Sequence, residues 1–258
     1  MSWHRSTNNG NDNSIYKGTE MSKALAKKQT TDVVVGDGLD GWGDVQDIDQ
    51  SNVIIPKILP MQSTSNLVVE GHAKMGEFRD SLSGKLLGSI DKEVEFIPIS
   101  TEAKWILFHD GKYHAEVPQT NSNKHWAIED HVDGVHVKRV RCINVFAVLP
   151  EDIKTDMAMP YVISFRSTSY EGGKQVVTRI FQNVNLMKKN PSIYSMKLRA
   201  KRMSNDKGNW IVMTTAVGRR STPDELDVCK NFYVMMQDQK VKIDESEFKK
   251  PTVDVPSF

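Results

Sequence analysis

The spacing of apolar residues predicts a chain that begins with strands and continues with helices. In its first two thirds, β-branched and aromatic residues gather in short runs between Gly- and Ser-containing turns, a pattern typical of β-strands. The expected strands cover residues 94–99, 104–108, 135–149 and 161–168. The run 53–61 is interrupted by Pro56 and Pro60, which favours an edge strand or an extended segment. The polar stretch 113–133 predicts a loop or hairpin.

Helical spacing begins after Gly172 and Gly173. Apolar side chains then recur every three to four residues up to Met187, and the pattern ends at Asn190, because a residue that precedes proline avoids the helical region. A second helix is predicted from the sequence Thr-Pro-Asp-Glu at 222–225. It combines an N-cap threonine, a proline in the first turn and a glutamate three residues after the cap.

Between these two helices the period is two. Apolar residues occupy every second position from Tyr194 to Ala200, a turn is expected at 205–208, and 210–217 is predicted to be the returning strand of a β-hairpin. Several strands followed by two helices that flank a hairpin indicate an α+β fold with a mostly antiparallel sheet. The pattern contains no βαβ repeat, and it is not clearly that of an OB-fold.

We expect one domain at residues 51–240, between a flexible arm and a flexible tail. The arm, residues 1–50, has six aspartates and no lysine or arginine between Thr31 and Gln50, so it can bury too little apolar surface to offset the entropy of ordering. The tail covers residues 241–258. Cys142 and Cys229 form no paired motif and suit a reducing compartment. Since no apolar run has the roughly 20 residues of a membrane span, a cytoplasmic location is expected.

Positive charge is concentrated in one part of the chain. Residues 160–220 contain twelve Lys or Arg and two acidic residues, a net charge of +10, whereas the whole protein carries +1. The remainder therefore sums to −9. A basic block in a nearly neutral protein indicates a surface that contacts a polyanion. The alternative is a solvated surface whose counter-charges come from the acidic regions.

Strand alternation gathers part of this charge on one side of the hairpin. If the apolar residues of 194–200 face the core, Lys197, Arg199 and Lys201 project together from the other face, about 7 Å apart. That spacing is close to one nucleotide step of an extended strand, and Arg202 follows at the turn. Further candidate phosphate contacts lie on the first helix and on an earlier strand: Lys174, Arg179, Lys188, Lys189, Lys138, Arg139 and Arg141.

Single-strand binding also requires flat side chains on which bases can stack. Trp126, Tyr113 and Tyr170 lie in polar or Gly-rich surroundings, where exposure is as plausible as burial, and Trp210 follows the hairpin turn. We expect one or more of them to stack bases. No helix-turn-helix or zinc-finger spacing indicates duplex recognition. Nothing in the sequence distinguishes RNA from DNA.

Two other classes of function compete with this interpretation. Five histidines and several acidic residues lie within 109–136, and a metal-dependent nuclease would need such groups to converge on a cation. Because no ligand pair has helical spacing, we expect no enzyme, no metal site and no cofactor. A partner-binding role is suggested by Asp254, Pro256 and Phe258, which resemble the acidic, Pro-Phe-ending tip of bacterial single-strand-binding proteins.

Several short motifs resemble a pattern found in phage-encoded single-stranded-DNA-binding proteins. They lie at 54–58, 62–63, 70–71, 76–78, 83–84, 87–88, 96–99, 165–169 and 205–210, so the pattern covers about residues 53–217. The whole chain also resembles the single-stranded-DNA-binding RNA polymerase cofactors of podovirus-type phages. That resemblance implies binding at melted promoters, recruitment of a phage RNA polymerase, and a location in the bacterial host cytoplasm. A general replication or recombination protein that binds single strands is the alternative.

Overall fold

The computed structural model describes residues 54–155, 157–206, 208–238 and 242–243. The chain divides into two units, Met1–Gln46 and Asp47–Phe258, and all described residues belong to the second. The expected acidic arm and the predicted partner-binding residues Asp254, Pro256 and Phe258 lie outside the described residues. Within the expected tail, Lys242–Ile243 forms a strand.

The described residues form mostly strands, with helices between some of them. The strands are β1 (Ile54–Ile55), β2 (Ile58–Pro60), β3 (Phe78–Asp80), β4 (Leu86–Gly88), β5 (Val94–His109), β6 (Lys112–Pro118), β7 (Glu129–Val132), β8 (Val135–Val148), β9 (Pro160–Arg166), β10 (Tyr194–Asn205), β11 (Gly208–Arg220) and β12 (Lys242–Ile243). The α-helices are α1 (Asn66–Val69), α2 (Pro150–Lys154), α3 (Tyr170–Phe181) and α4 (Pro223–Asp238). A 3-10 turn, Ser167–Ser169, precedes α3, and a π-helical turn, Gln182–Leu186, follows it.

Seven strands form a sheet that curls into a half barrel. Its order is β11-β10-β5-β8-β7, with β6 beside β5 and β9 beside β8, and its pairings are antiparallel. Strands β2, β3 and β4 form a small antiparallel sheet, and β1 pairs with β12 in parallel. The expected α+β class with a mostly antiparallel sheet is confirmed, and so is the hairpin of β10 and β11.

Strand β5 joins two segments that the sequence predicts as separate strands. Its register against β8 shifts between Pro98 and Ser100, and such an irregularity bends a strand without ending it. The part after the bend, 104–109, pairs with β6 on one side and β8 on the other. The polar stretch expected as a loop or hairpin supplies both β6 and β7.

The sheet separates two hydrophobic clusters. On one face, Val176 of α3 and Phe78 of the small sheet pack with Phe96, Phe165 and Leu198 of the large sheet. On the other face, Cys229 and Phe232 of α4 pack with Ile97, Ile99 and Val148. Both predicted helices therefore cover the sheet, one on each side, and the hairpin lies between them in the sequence.

Helix α4 begins as its sequence predicts. The backbone N–H of Glu225 donates to Thr222 Oγ1 at 3.3 Å, and the N–H of Thr222 donates to Glu225 Oε2 at 2.8 Å, the two reciprocal bonds of a capping box. Arg219 Nη1 also donates to Glu225 Oε2, at 2.8 Å. The hydrogen bond from Arg219 is the main cause that lowers the pKa of Glu225. This ionised carboxylate therefore joins the end of β11 to the start of α4.

Helix α3 begins earlier than expected and includes Gly172 and Gly173. A side chain at Gly173 would place its Cβ 2.8 Å from Phe165 Cβ and 3.0 Å from Ile143 Cβ, distances that real Cβ atoms rarely reach. A Cβ at Gly172 would lie 2.7 Å from the carbonyl oxygen of Met213. Close packing on β8, β9 and β11 thus requires glycine here, although glycine disfavours an isolated helix.

We predict that Gly173→Ala destabilises the protein by about 1–3 kcal/mol, because overpacking outweighs the roughly 1 kcal/mol that alanine contributes within a helix. Chemical denaturation of the purified protein measures the free energy of unfolding. Lys174→Ala, at the next and exposed position of α3, is the matched control and should change stability by less than about 0.5 kcal/mol. An alanine variant at Gly173 as stable as the parent protein would contradict the packing account.

Candidate nucleic-acid interface

The alternation predicted for β10 is present. Met196, Leu198 and Ala200 are buried in the larger cluster, whereas Arg199 and Lys201 are exposed and Lys197 is half-buried. Residues directly opposite each other in an antiparallel pair share a face of the sheet. We call the face that carries these cations the outer face of the hairpin. Its members are Lys197, Arg199, Lys201 and Met203 of β10, opposite Ala216, Thr214, Val212 and Trp210 of β11.

The hairpin continues beyond the strand that supports it. Pairing of β10 with β5 ends at Leu198 opposite Val94, whereas pairing with β11 continues to Asn205 opposite Gly208. Residues 199–205 and 208–214 therefore form a two-stranded ribbon, and 201–206 are all exposed. Arg202 was expected at the turn but lies within β10. Strand alternation directs it to the face opposite Lys201.

Glu93, in the turn before β5, neutralises part of the outer face. Its Oε2 forms an ion pair with Lys197 Nζ at 3.0 Å, and its Oε1 forms one with Arg199 Nε. The hydrogen bond from Lys197 is the largest cause that lowers the pKa of Glu93, and Arg199 lowers it further. Lys201 and Arg202 form no ion pair with any residue that the structure describes. The positive charge of the ribbon is thus compensated at its base and uncompensated further along.

The candidate phosphate contacts on α3 and just after it do not form one continuous surface with the cations of the hairpin. Lys174 pairs with Glu171 of the same helix at 2.9 Å. Arg179 is half-buried, with its guanidinium carbon 4.6 Å from the centre of the Tyr194 ring. Lys188 and Lys189 are exposed after the π-helical turn, where Lys188 has a φ of 52°. Of these four residues, only Lys188 and Lys189 are both exposed and without an ion pair in the described part of the chain.

The candidates on β8 divide between surface and interior. Lys138 is exposed and lies 3.7 Å from Glu129 across the strand pair. Arg139 is only 8% exposed, donates to the carbonyl oxygen of Ala127 at 3.1 Å and lies over the Trp126 ring. Burial leaves the Arg139 guanidinium little access to a phosphate, and its role as a phosphate contact stays a prediction. Arg141 is exposed, with its guanidinium carbon 5.3 Å from the centre of the Trp105 ring.

Each aromatic candidate is at least partly exposed as a residue. Trp126 is 37% exposed, although one side packs on buried Trp105 with ring centroids 6.3 Å apart. Tyr113 is half-buried and meets Phe108 edge-on, and Tyr170 packs against the larger cluster. Trp210 is half-buried on the outer face, opposite Met203. Only Trp210 lies on the same ribbon as the uncompensated cations.

The histidine-rich segment does not form a recognisable metal centre. His109 and His114 stack with ring centroids 3.7 Å apart, and His131 and His136 lie 5.2 Å apart across β7 and β8. Within the residues that the structure describes, no three His, Cys, Asp or Glu side chains are grouped so that they could hold a metal ion. The nuclease alternative therefore has no geometric support in this part of the chain.

Sequence reasoning missed residues that hold the hairpin in place. The Gln62 side chain accepts from the backbone N–H of Ile211 at 2.8 Å and donates to its carbonyl oxygen at 3.1 Å. Ser63 donates to the carbonyl oxygen of Asn209 at 3.0 Å, and Ser169 accepts from the N–H of Met213 at 2.8 Å. Residues from the motifs 62–63, 165–169 and 205–210 of the sequence resemblance meet at these contacts. Their joint occurrence in that resemblance was the one signal that could have indicated the contacts.

Comparison with known proteins identifies a family but no individual related protein. A model of the Pam3 phage gp34-like protein family matches residues 26–242. The chain belongs to this family. Membership in the Pam3 phage gp34-like family places the chain among phage proteins, as the sequence resemblance implied, and assigns no ligand. No curated protein and no solved structure gives a significant match.

Among the described helices, none combines the length and the apolar character that crossing a membrane would require.

Proposed function

We propose that the protein binds single-stranded DNA without catalysing a reaction, and that the β10–β11 ribbon is its main contact. The observation that carries the proposal is the basic ribbon, of which residues 201–206 are all exposed. Residues 199–214 contain four basic residues and one acidic residue, a net charge of +3. Phosphate contacts of this kind supply most of the sequence-independent affinity for nucleic acid.

Stacking surface beside the cations favours single strands over duplex. Trp210 and Met203 face each other across the ribbon, two residue pairs beyond Lys201 and Val212 and on the same face. A base that stacks on an aromatic ring contributes about 1–3 kcal/mol, and this contribution requires unpaired bases. A duplex could use only the cations. The ribbon therefore fits an extended strand whose phosphates follow the basic side chains and whose bases contact Trp210.

Glu93 should make this binding weaker than the count of cations suggests. Its carboxylate occupies the position between Lys197 and Arg199 that a backbone phosphate would take. A phosphate must therefore compete with an internal anion at the base of the ribbon, but not at Lys201 and Arg202. We expect moderate affinity that depends mainly on the distal part of the ribbon.

One prediction on binding concerns the distal cations. Lys201→Ala/Arg202→Ala should lower the affinity for an oligothymidylate of about 20 nucleotides by on the order of 25-fold at about 0.1 M salt, because each lost phosphate contact forfeits counterion release worth a factor of about 5. Fluorescence anisotropy of the labelled oligonucleotide measures the affinity. Lys112→Ala/Lys124→Ala removes the same charge from exposed positions outside the ribbon and is the matched control. Equal losses in both double variants would refute a ribbon-specific contact.

A prediction of opposite sign, stronger binding, concerns Glu93. Glu93→Gln should raise the affinity for the same oligonucleotide a few-fold, since it leaves Lys197 and Arg199 without their internal anion. Stability should change little because the ion pairs are solvent-accessible. Glu129→Gln, which removes the partner of Lys138, is the control and should leave the affinity unchanged. Unchanged or weaker binding by Glu93→Gln would exclude Lys197 and Arg199 from the interface.

Within the phage setting, we further propose that the bound strand is that of a locally melted promoter and that the protein assists a phage RNA polymerase. This finer role is supported by the sequence resemblance to such cofactors, and replication or recombination is its alternative. Transcription by the phage polymerase from a duplex promoter, with and without the protein, tests it. Stimulation that Lys201→Ala/Arg202→Ala abolishes is expected. Stimulation of strand exchange or replication alone would favour the alternative.

A further inference from the structure

Helix α3 and the π-helical turn after it carry two stripes of apolar side chains. One stripe packs on the sheet, with Val176 buried and Ile180 against the larger cluster. The other lies about 100° further round the helix and contains Val177, Phe181 and Val184, all exposed, with Phe181 at 54%. An exposed apolar patch of this kind usually marks an interaction site.

A pocket of about 300 Å³ lies at the end of the exposed stripe. The chain after α3 lines it with Val184 and 190–192, α4 lines it with Cys229, Lys230 and Tyr233, and β5 contributes Ile99. Burial raises the pKa of the Cys229 thiol to about 11, so the thiol stays neutral and acts as an apolar part of the lining. The volume is at the lower end of the range for ligand pockets, about 300–1,000 Å³, and suits one large apolar side chain.

Hydrogen bonds fix the segment 190–192 that forms part of the pocket. Ser192 Oγ donates to the carbonyl oxygen of Pro98 at 2.7 Å, and Ser221 Oγ donates to the carbonyl oxygen of Ser192 at 2.6 Å. The side chain of Asn190 accepts from the backbone N–H of Ser192 at 2.8 Å. A pocket that is formed before its ligand arrives loses less conformational entropy on binding.

Three lysines accompany this apolar surface. Lys230 lines the pocket, and Lys188 and Lys189 directly precede its lining residue Asn190. All three lysines are exposed, and none forms an ion pair with a residue that the structure describes, not even Lys230 with exposed Asp227 one turn earlier on α4. Charge complementarity therefore favours an anionic partner.

The combination of pocket, stripe and lysines favours an acidic protein segment. A free anion would use the lysines and leave the apolar stripe uncovered. A second copy that used the same surface in a twofold contact would bring the lysines of both copies together, and like charges oppose that arrangement. A segment with a large apolar residue among carboxylates matches both features, because grooves beside helices bind the apolar side of amphipathic segments.

We propose that the pocket, its three lysines and the exposed stripe of α3 form a docking surface for an acidic segment of a partner protein. A large apolar side chain of the partner enters the pocket, and neighbouring carboxylates pair with the lysines. The docking surface contains no residue of the ribbon. It is therefore a second binding function, and it does not depend on the binding of single strands.

The probe comes from a library of random peptides of about 12 residues, displayed on yeast and selected against the full-length protein. The selected peptides should combine aspartate or glutamate with a large apolar residue. A synthetic peptide of the selected sequence, labelled with a fluorophore, then serves to measure affinity by fluorescence anisotropy. A library that yields no binding peptide, or only peptides without acidic residues, would overturn the proposal.

One pair of variants tests the pocket. Tyr233→Asp places a charge in its lining and should weaken binding of the peptide about 10-fold or more. Val234→Asp makes the same kind of change at the next position of α4, which is also exposed but does not line the pocket. This control should keep the affinity within about twofold of the unaltered protein. Equal affinities of the two variants would refute docking at the pocket.

A second pair of variants tests the lysines. Lys188→Glu/Lys189→Glu should weaken binding of the peptide on the order of 10-fold, because it replaces attraction by repulsion. Lys112→Glu/Lys124→Glu reverses the same charge at exposed positions elsewhere and is the matched control. Equal losses in both double variants would show unspecific attraction and overturn the proposal.

The remaining outcomes distinguish the other occupants. If Lys188→Glu/Lys189→Glu weakens oligothymidylate binding as much as peptide binding, the surface is a nucleic-acid contact and the proposal is overturned. If light scattering shows a dimer that Tyr233→Asp dissociates, the occupant is a second copy and the proposal is again overturned. If the unaltered protein binds the peptide at this surface but no oligonucleotide, the docking surface stands and single-strand binding fails.

Discussion

Burial of Met196, Leu198 and Ala200 determines which way the basic side chains of β10 point. Side chains alternate with a period of two, so a slip of one residue would bury Lys197, Arg199 and Lys201 and expose the apolar set. Strand β11, at the edge of the sheet, is fixed as well, because the side chains of Gln62 and Ser169 bond its backbone at Ile211 and Met213. The hairpin register is therefore held from both sides, and the outer face and the ribbon both depend on it.

The charge of the basic block is divided among several tasks. Arg179 packs on Tyr194, and Arg219 bonds Glu225 at the start of α4 and lies 3.1 Å from Glu95. Glu93 pairs with two of the predicted phosphate contacts. A net charge of +10 over 160–220 thus does not give one continuous basic surface. Binding has to depend on short stretches that have no internal ion pair, of which the distal ribbon is the clearest among the described residues.

Local patterns in the sequence predicted the elements that depend on interactions between residues close together in the chain. The capping box at Thr222, the hairpin alternation and the change from period two to helical spacing are all present. Contacts between distant segments were beyond such reasoning: Gly173 enters α3 because of Phe165 and Ile143, and Arg139 is buried beneath Trp126. Glu93 was missed because it lies 106 positions before Arg199 and only the pairing of β5 with β10 brings them together. The direction of the hairpin cations was therefore predictable, and their neutralisation was not.

The most direct measurement is the affinity of the unaltered protein for a single strand, and for a duplex of the same length, across a range of salt concentrations. The account predicts preference for the single strand and a linear fall of log affinity with log salt, with a slope of about −0.7 for each phosphate contacted. A flat dependence on salt, or equal affinity for the duplex, would contradict it.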